Sequence, residues 1–265
     1  MRLTVVGCTG SMAGPDGAAS SYLLEADDAA GRTWRLLLDC GSGAFGPLQR
    51  LVEPTTIDAV GVTHMHPDHY ADLCGLYVYL RYHPMLGTAA TGCARPLEVR
   101  GPAGAGAKVA ATFGLGAEED FECMTFSAWD ATAWQVGPLR VEAFRVEHPV
   151  EAFALRVTGP SDVEPGREVT VVYSGDTDEC DGIVEAARDA DLLLVEAAFV
   201  EGRDEPRGIH LTGARAGSVA TRAGARRVVL THLQPWTDEQ AVLAEARTTF
   251  AGPTDLARPA AVHTV

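Results

Sequence analysis

The sequence predicts an α/β protein of two sheet-and-helix halves packed face to face. Short apolar segments of strand character give way to helical periodicity, and the same rhythm then occurs a second time. In addition, histidines and acidic residues collect directly after apolar strands, where mixed sheets assemble their sites.

The elements follow in order. Leu3–Gly7 reads as a buried strand, followed by the loop Cys8-Thr9-Gly10-Ser11. Ser21–Glu25 and Trp34–Asp39 read as paired strands. The second ends in Asp39-Cys40-Gly41-Ser42-Gly43, which opens a helix over Phe45–Val52. Such a turn can present free backbone N–H groups to an anion, but a plain tight turn is the stronger reading. Strand Ala59–Val62 comes next, then a helix with Leu73, Leu76, Tyr77 and Leu80 on one face. Gly, Ala and Pro dominate Met85–Gly106, a candidate lid or homodimer contact, within which Pro96–Gly101 reads as a strand. A helix at Ala105–Phe113 and a solvated acidic loop at Glu118-Glu119-Asp120 follow.

Four strands are expected at Phe121–Phe126, Leu139–Val146, Phe153–Val157 and Val169–Tyr173. The last third alternates as helix Asp181–Arg188, strand Leu192–Glu196, helix Gly213–Ala223, strand Arg227–Thr231 and helix Asp238–Phe250. Thr212 is the expected N-cap of the second of these helices, and Thr237 with Gln240 a capping box for the third.

Length and charge bound the function. At 265 residues the length fits one large domain or two small ones, and a single domain over 1–265 is the expectation. Hydrophobic residues at 46% and charged residues at 22% describe an ordinary globule. A net charge of −15 without any run of Lys and Arg argues against long nucleic acid as a partner. No apolar run approaches the roughly 20 residues of a membrane helix, so no membrane partner is expected. The start Met1–Gly7 reads as a strand rather than a secretory segment. Six scattered cysteines without a CxxC pair read as reduced thiols, and a cytoplasmic location is the expectation.

The densest chemistry lies in Thr63-His64-Met65-His66-Pro67-Asp68-His69. His64 and His66, two apart in extended chain, point to one side. Pro67 turns the chain, and Asp68 and His69 arrive from the first helical turn. Imidazole and carboxylate suit zinc and its first-row neighbours. His148, Asp176 and His232 each follow an apolar strand, His210 precedes a helix, and Glu196 ends one strand. His83 and His263 lack that context and read as structural or surface residues. Trp236 and Cys180 are left outside the site.

This set, His-x-His-x-Asp-His, then a lone His, then Gly-Asp-Thr, then a strand-end His, resembles the metallo-β-lactamase superfamily of binuclear metallohydrolases. The resemblance implies an αβ/βα four-layer sandwich with two divalent metal ions along one sheet edge, zinc first, with manganese or iron as alternatives. It implies that His64, His66 and His148 hold one metal, that Asp68, His69 and His232 hold the other, and that Asp176 bridges them. Leu193-Leu194-Val195-Glu196-Ala197 and Gly208-Ile209-His210-Leu211-Thr212 resemble the ribonuclease Z-like phosphodiesterases, in which the matching Glu and His donate a proton. His148 and Asp176 are only 28 positions apart, which leaves no room for the arm with which tRNA-processing members grip tRNA. Pro67 also departs from the small residue common there.

A compact, acidic, arm-less chain resembles the actinobacterial cyclic-nucleotide phosphodiesterases of the superfamily. The expected activity is therefore hydrolysis of a small phosphodiester, a 3′,5′-cyclic nucleotide such as cAMP. Two metals would lower the pKa of a shared water, with Asp68, Glu196 and His210 as catalytic residues and His210, oriented by Glu196, as the general acid. The alternatives are a hydrolase of a lactone, thioester or β-lactam, and a short-RNA or 3′-end nuclease.

Overall fold

The computed structural model describes residues 1–93, 95–116 and 120–265. Strands β1 (Arg2–Gly7), β2 (Ser21–Asp27) and β3 (Thr33–Leu38) lead to helix α1 (Phe45–Leu51), a 3-10 turn at Pro54–Thr56 and strand β4 (Ala59–Gly61). Helices α2 (Pro67–Tyr70), α3 (Leu73–Tyr82) and α4 (Thr88–Thr91) precede β5 (Leu97–Gly101), α5 (Ala105–Phe113) and β6 (Met124–Ala128). Then come β7 (Trp134–Val136), β8 (Leu139–Arg145), β9 (Phe153–Pro160), β10 (Glu168–Tyr173), α6 (Asp181–Ala186) and β11 (Leu192–Glu196). The chain closes with α7 (Gly213–Ala223), β12 (Val228–Thr231), α8 (Glu239–Thr249), β13 (Thr254–Leu256) and β14 (Val262–Thr264).

Two seven-stranded sheets result, in the orders β14-β1-β2-β3-β4-β5-β6 and β13-β12-β11-β10-β9-β8-β7. The first runs through three antiparallel pairings and then three parallel ones, and the second, in the order given, through three parallel and then three antiparallel. The period-2 alternation of side chains explains the layering. Leu36 and Leu38 of β3 face Val171 and Tyr173 of β10 and Leu192 and Leu194 of β11 in a core between the sheets. Leu37 turns outward to Leu48, Leu73 and Leu76 of the first helix layer. Leu193 and Val195 turn outward to Ile183, Val219 and Val242 of the second. The architecture is the αβ/βα four-layer sandwich. Among the described residues no helix is long and apolar enough to cross a membrane.

Several expectations need correction. The helix after Pro67 is two helices, because Asp72 lies between them and is used elsewhere. Its Oδ2 accepts from Phe45 N at 2.8 Å at the start of α1, and its N–H donates to Cys40 O at 3.0 Å. The strand expected at Phe121–Phe126 begins at Met124, where it takes register on Leu97. Phe121 instead packs its ring edge-on against Tyr77 at 4.7 Å. Asp238, not Thr237, caps α8 and accepts from Gln240 N and Ala241 N. Thr212 caps α7 as expected, accepting from Arg215 N at 3.2 Å. Of the acidic loop, Asp120 is exposed, whereas Glu118 and Glu119 lie outside the described residues.

Candidate metal centre

The loops that follow β4, β8, β10, β11 and β12 leave the sheets along one edge of the sandwich. The β4 loop is tied across to the second sheet by a bridge between His64 and Ala152 and by Phe153 N donating to Thr63 O at 3.0 Å. Six histidines and three carboxylates meet there.

In one group, His64 Nε2 and His148 Nε2 each lie 3.1 Å from His66 Nδ1, and Asp176 Oδ2 lies 3.6 Å from His64 Nε2. In the second, His69 Nε2 lies 3.2 Å from Asp176 Oδ1 and 3.4 Å from Asp68 Oδ2. His232 Nε2 lies 3.2 Å from Asp176 Oδ2 and 3.8 Å from Asp68 Oδ2. The ligand atoms of each group fall within 4.8 Å of one another, and Asp176 belongs to both. All seven residues that the resemblance marks as ligands are thus brought together.

The imidazoles are held from behind. His69 Nδ1–H donates to Asp39 Oδ2 at 2.7 Å, and His148 Nδ1–H to Ile209 O at 2.8 Å. His232 Nδ1 pairs with Ser20 Oγ at 2.9 Å. Each partner occupies Nδ1 and turns Nε2 toward the cluster, the arrangement that raises ligand basicity in metal sites, and His232 Nε2 also accepts from Ser11 N at 3.3 Å. His232 itself has φ +60, and Gly10 packs so close that a Cβ would stand 2.1 Å from the His232 carbonyl.

Electrostatics matches. Burial holds His64, His66, His148 and His232 below the ordinary histidine value, in the neutral form that ligates. For His69 burial acts the same way, but the Asp176 and Asp39 carboxylates overcome it and push the value well up. Burial would raise Asp68, yet His69 beside it brings it down to about 2. Asp68 Oδ2, His69 Nε2 and Asp176 Oδ1 are buried without a hydrogen-bond partner. Three adjacent orphaned atoms of N and O type, each costing about 1–3 kcal/mol if left unpaired, fit divalent metal.

His210 stands above both groups, its ring 5.5 Å from those of His148 and His232, with Phe199 packed edge-on at 5.0 Å. Its Nδ1 lies 2.8 Å from Glu196 Oε1 and 3.9 Å from Asp176 Oδ2. Glu196 is fully buried and held by Thr177 N on Oε1 and Ala198 N on Oε2, both at 3.0 Å. Burial would lower the His210 pKa, but Glu196 raises it to about 9.

The sequence reading missed Asp39, Ser20 and the Ile209 carbonyl as supports of the ligands. Asp39 was visible only as the start of a glycine-rich turn. The turn is indeed tight, with Asp39 at φ +56, and the first amide of α1 is already taken by Asp72. His83 and His263 lie away from the cluster, accepting from Leu86 N and pairing with Arg227 respectively. Trp236 is 61% exposed and is not part of the cluster.

The beta-lactamase superfamily domain family matches residues 34–233. The chain belongs to the metallo-β-lactamase superfamily. The Mycobacterium leprae protein ML1173 is similar to it, 40% identical over 260 residues that cover 96% of this chain and 84% of that one. The probable metallo-hydrolase YhfI of Bacillus subtilis is 30% identical over 266 residues, 97% of each chain. The YhfI crystal structure superposes with a TM-score of 0.82 at 28% identity over 100% of this chain and 99% of that one. A ribonuclease Z of Myxococcus xanthus is 32% identical over 273 residues, 84% of this chain and 85% of its own length. The chain is a metal-dependent hydrolase of the ribonuclease Z-like branch, with a His/Asp cluster able to bind metal ions.

Proposed function

We propose that the protein is a binuclear phosphodiesterase acting on a small phosphodiester, a 3′,5′-cyclic nucleotide of the cAMP type. The observation that carries this reading is the His210–Glu196 pair, 2.8 Å apart and beside the carboxylate shared by both ligand groups. An alkoxide departing from phosphorus needs a proton, which this pair is placed to give, whereas the thiolate of a thioester departs without one. His64, His66 and His148 would hold one metal, Asp68, His69 and His232 the other, and Asp176 both; residues 1–265 would act as one hydrolase domain. Zinc suits the donor set, with manganese or iron as alternatives.

Such metals, when bound, activate water and offset charge on the phosphoryl oxygens. The chain supplies the rest. Glu196 accepts from His210 Nδ1–H, which orients the ring and leaves Nε2 to carry the proton passed to the leaving oxygen. Its own two oxygens are fixed by backbone donors, so the pair is set before substrate arrives. Phe199 closes one side of the imidazole against water. Between His148 and Asp176 the chain has only β9, β10 and their connecting turn, so the tRNA-gripping arm is missing. With the net charge of −15, this supports a small substrate over long RNA. A cytoplasmic location agrees with six unpaired cysteines.

The Myxococcus ribonuclease Z favours one second reading, a nuclease for short RNA or 3′ ends. Turnover of bis(p-nitrophenyl) phosphate, 3′,5′-cAMP, a short RNA, a lactone and a thioester by metal-analysed protein separates these. The proposal expects chelator-sensitive cleavage of the first two, and His210→Ala should lower cAMP turnover about 10²–10⁴-fold with metal content retained. Carbonyl turnover with inert phosphodiesters would sink it, and RNA cleavage with steep salt dependence would favour the nuclease.

A further inference from the structure

We propose that Asp178 is a positioning residue that sets two parts of the centre at once, the His210 general acid and the His148 imidazole, through the strap Arg207–His210. The kinetic half of this rests on the phosphodiesterase reading, and the metal-binding half does not.

Asp178 is 1% exposed, and each of its oxygens takes two donors. Oδ2 accepts from Arg207 Nε at 2.6 Å and Gly208 N at 2.7 Å. Oδ1 accepts from Arg215 Nη1 at 2.5 Å and Glu179 N at 2.7 Å. Arg215 extends the restraint, since the same Nη1 reaches His210 O at 3.1 Å and Nε reaches Thr212 Oγ1 at 3.3 Å. Gly208 sits at φ +76, a conformation that a side chain would strain, and so turns its amide onto Asp178. One residue later, Ile209 O accepts from His148 Nδ1 at 2.8 Å. His210 follows directly, with Nδ1 on Glu196. Four donors converging on one buried carboxylate therefore determine where the Ile209 carbonyl and the His210 ring both stand.

A purely stabilising role accounts poorly for this arrangement. A buried ion pair gains little net stability once desolvation is counted, and Arg207 is 63% exposed. What the clamp supplies is position. The Ile209 carbonyl keeps the His148 proton on Nδ1 and its Nε2 lone pair toward His66; losing such a support typically weakens metal binding about 10–100-fold. A proton donor displaced by about 1 Å costs about 10²-fold in rate.

The test is Asp178→Asn, read in two ways. In zinc-reconstituted protein titrated with a chelator, one of two zinc equivalents should bind about 10–100-fold more weakly while the other holds as in the parent. In turnover, kcat on 3′,5′-cAMP should fall at least about 10-fold with KM little changed. The fall on bis(p-nitrophenyl) phosphate should be much smaller, because p-nitrophenolate departs without a proton. In a His210→Ala background the same change should cost no further kcat. Unchanged binding of both zinc equivalents overturns the proposal, as do equal losses on the two substrates or losses additive with His210→Ala. If the parent cleaves neither phosphodiester, the phosphodiesterase reading fails, and the zinc titration still decides the clamp. Should Asp178→Asn not fold, Arg215→Lys keeps a cation near Asp178 but loses the planar guanidinium whose Nε on Thr212 Oγ1 fixes the Nη1 that spans Asp178 and His210 O. It should show the same pattern more weakly, and parent-like values in folded Arg215→Lys would overturn the proposal.

Discussion

Asp39 and Asp176 occupy related places in the two halves and do opposite things. Each follows the strand that opens the parallel part of its sheet, β3 in one and β10 in the other. Both are buried carboxylates beside His69. Asp39 is filled by the protein, accepting from Thr63 N at 2.7 Å, Thr63 Oγ1 at 2.8 Å, His69 Nδ1 at 2.7 Å and Tyr173 Oη at 3.0 Å. Asp176 keeps Oδ1 without a partner, among imidazole nitrogens. A satisfied buried carboxylate positions its neighbours, whereas an orphaned one is waiting for a ligand. Glu196, filled by two backbone amides and His210, belongs with Asp39.

The comparison is broken most decisively at Asp176. Asp176→Ala removes the residue common to both groups, so metal content should collapse, and turnover should fall beyond the about 10²–10³-fold that one electrostatic donor supplies. Elemental analysis with kinetics checks this, and a variant that retains two metals would refute the shared role. Asp39→Asn is next. Asparagine tolerates the left-handed backbone of Asp39 but cannot accept from all four donors. Stability should fall about 1–3 kcal/mol, and the metal beside His69 should bind about 10–100-fold more weakly. Denaturant melts and chelator titration read both, and loss of stability with parent-like metal affinity would make Asp39 merely structural.

The smallest effect concerns the third carboxylate. In metal-free protein, burial works against the His210 cation and Glu196 raises its pKa to about 9. Because the folded value is raised, this pair stabilises fully below the unfolded value of about 6.5 and loses its contribution as pH rises through 9. Thermal melting of chelated protein should therefore decline more across that window for the parent than for His210→Gln. Parallel curves would show that the pair contributes nothing to stability.

Metal-site chemistry was legible where it is local. His64, His66, Asp68 and His69 lie within six positions, so a strand end and one proline turn suffice to gather them. Strand Leu192–Glu196 and helices Ala105–Phe113 and Gly213–Ala223 could likewise be read to the residue, because their apolar periods run without interruption. The short strands Trp134–Val136, Thr254–Leu256 and Val262–Thr264 carry too few residues to establish a period, and they exist because a sheet edge was there to pair with.

What the sequence by itself determined is the set of ligand-capable residues, the strands that deliver them and the two-half layering. Periodicity, turn chemistry and the spacing of imidazoles are local properties, and they survive being read one window at a time. Only the tertiary structure decided which groups stand behind the ligands. Asp39 reaches His69 across 30 positions, Ile209 reaches His148 across 61 and Ser20 reaches His232 across 212. Asp39 meets His69 because β3 pairs with β4, and Ile209 meets His148 because the loops after β8 and β11 leave one edge of the second sheet. Only Ser20 with His232 depends on the two sheets closing face to face, and no local pattern encodes which buried donor will meet which acceptor.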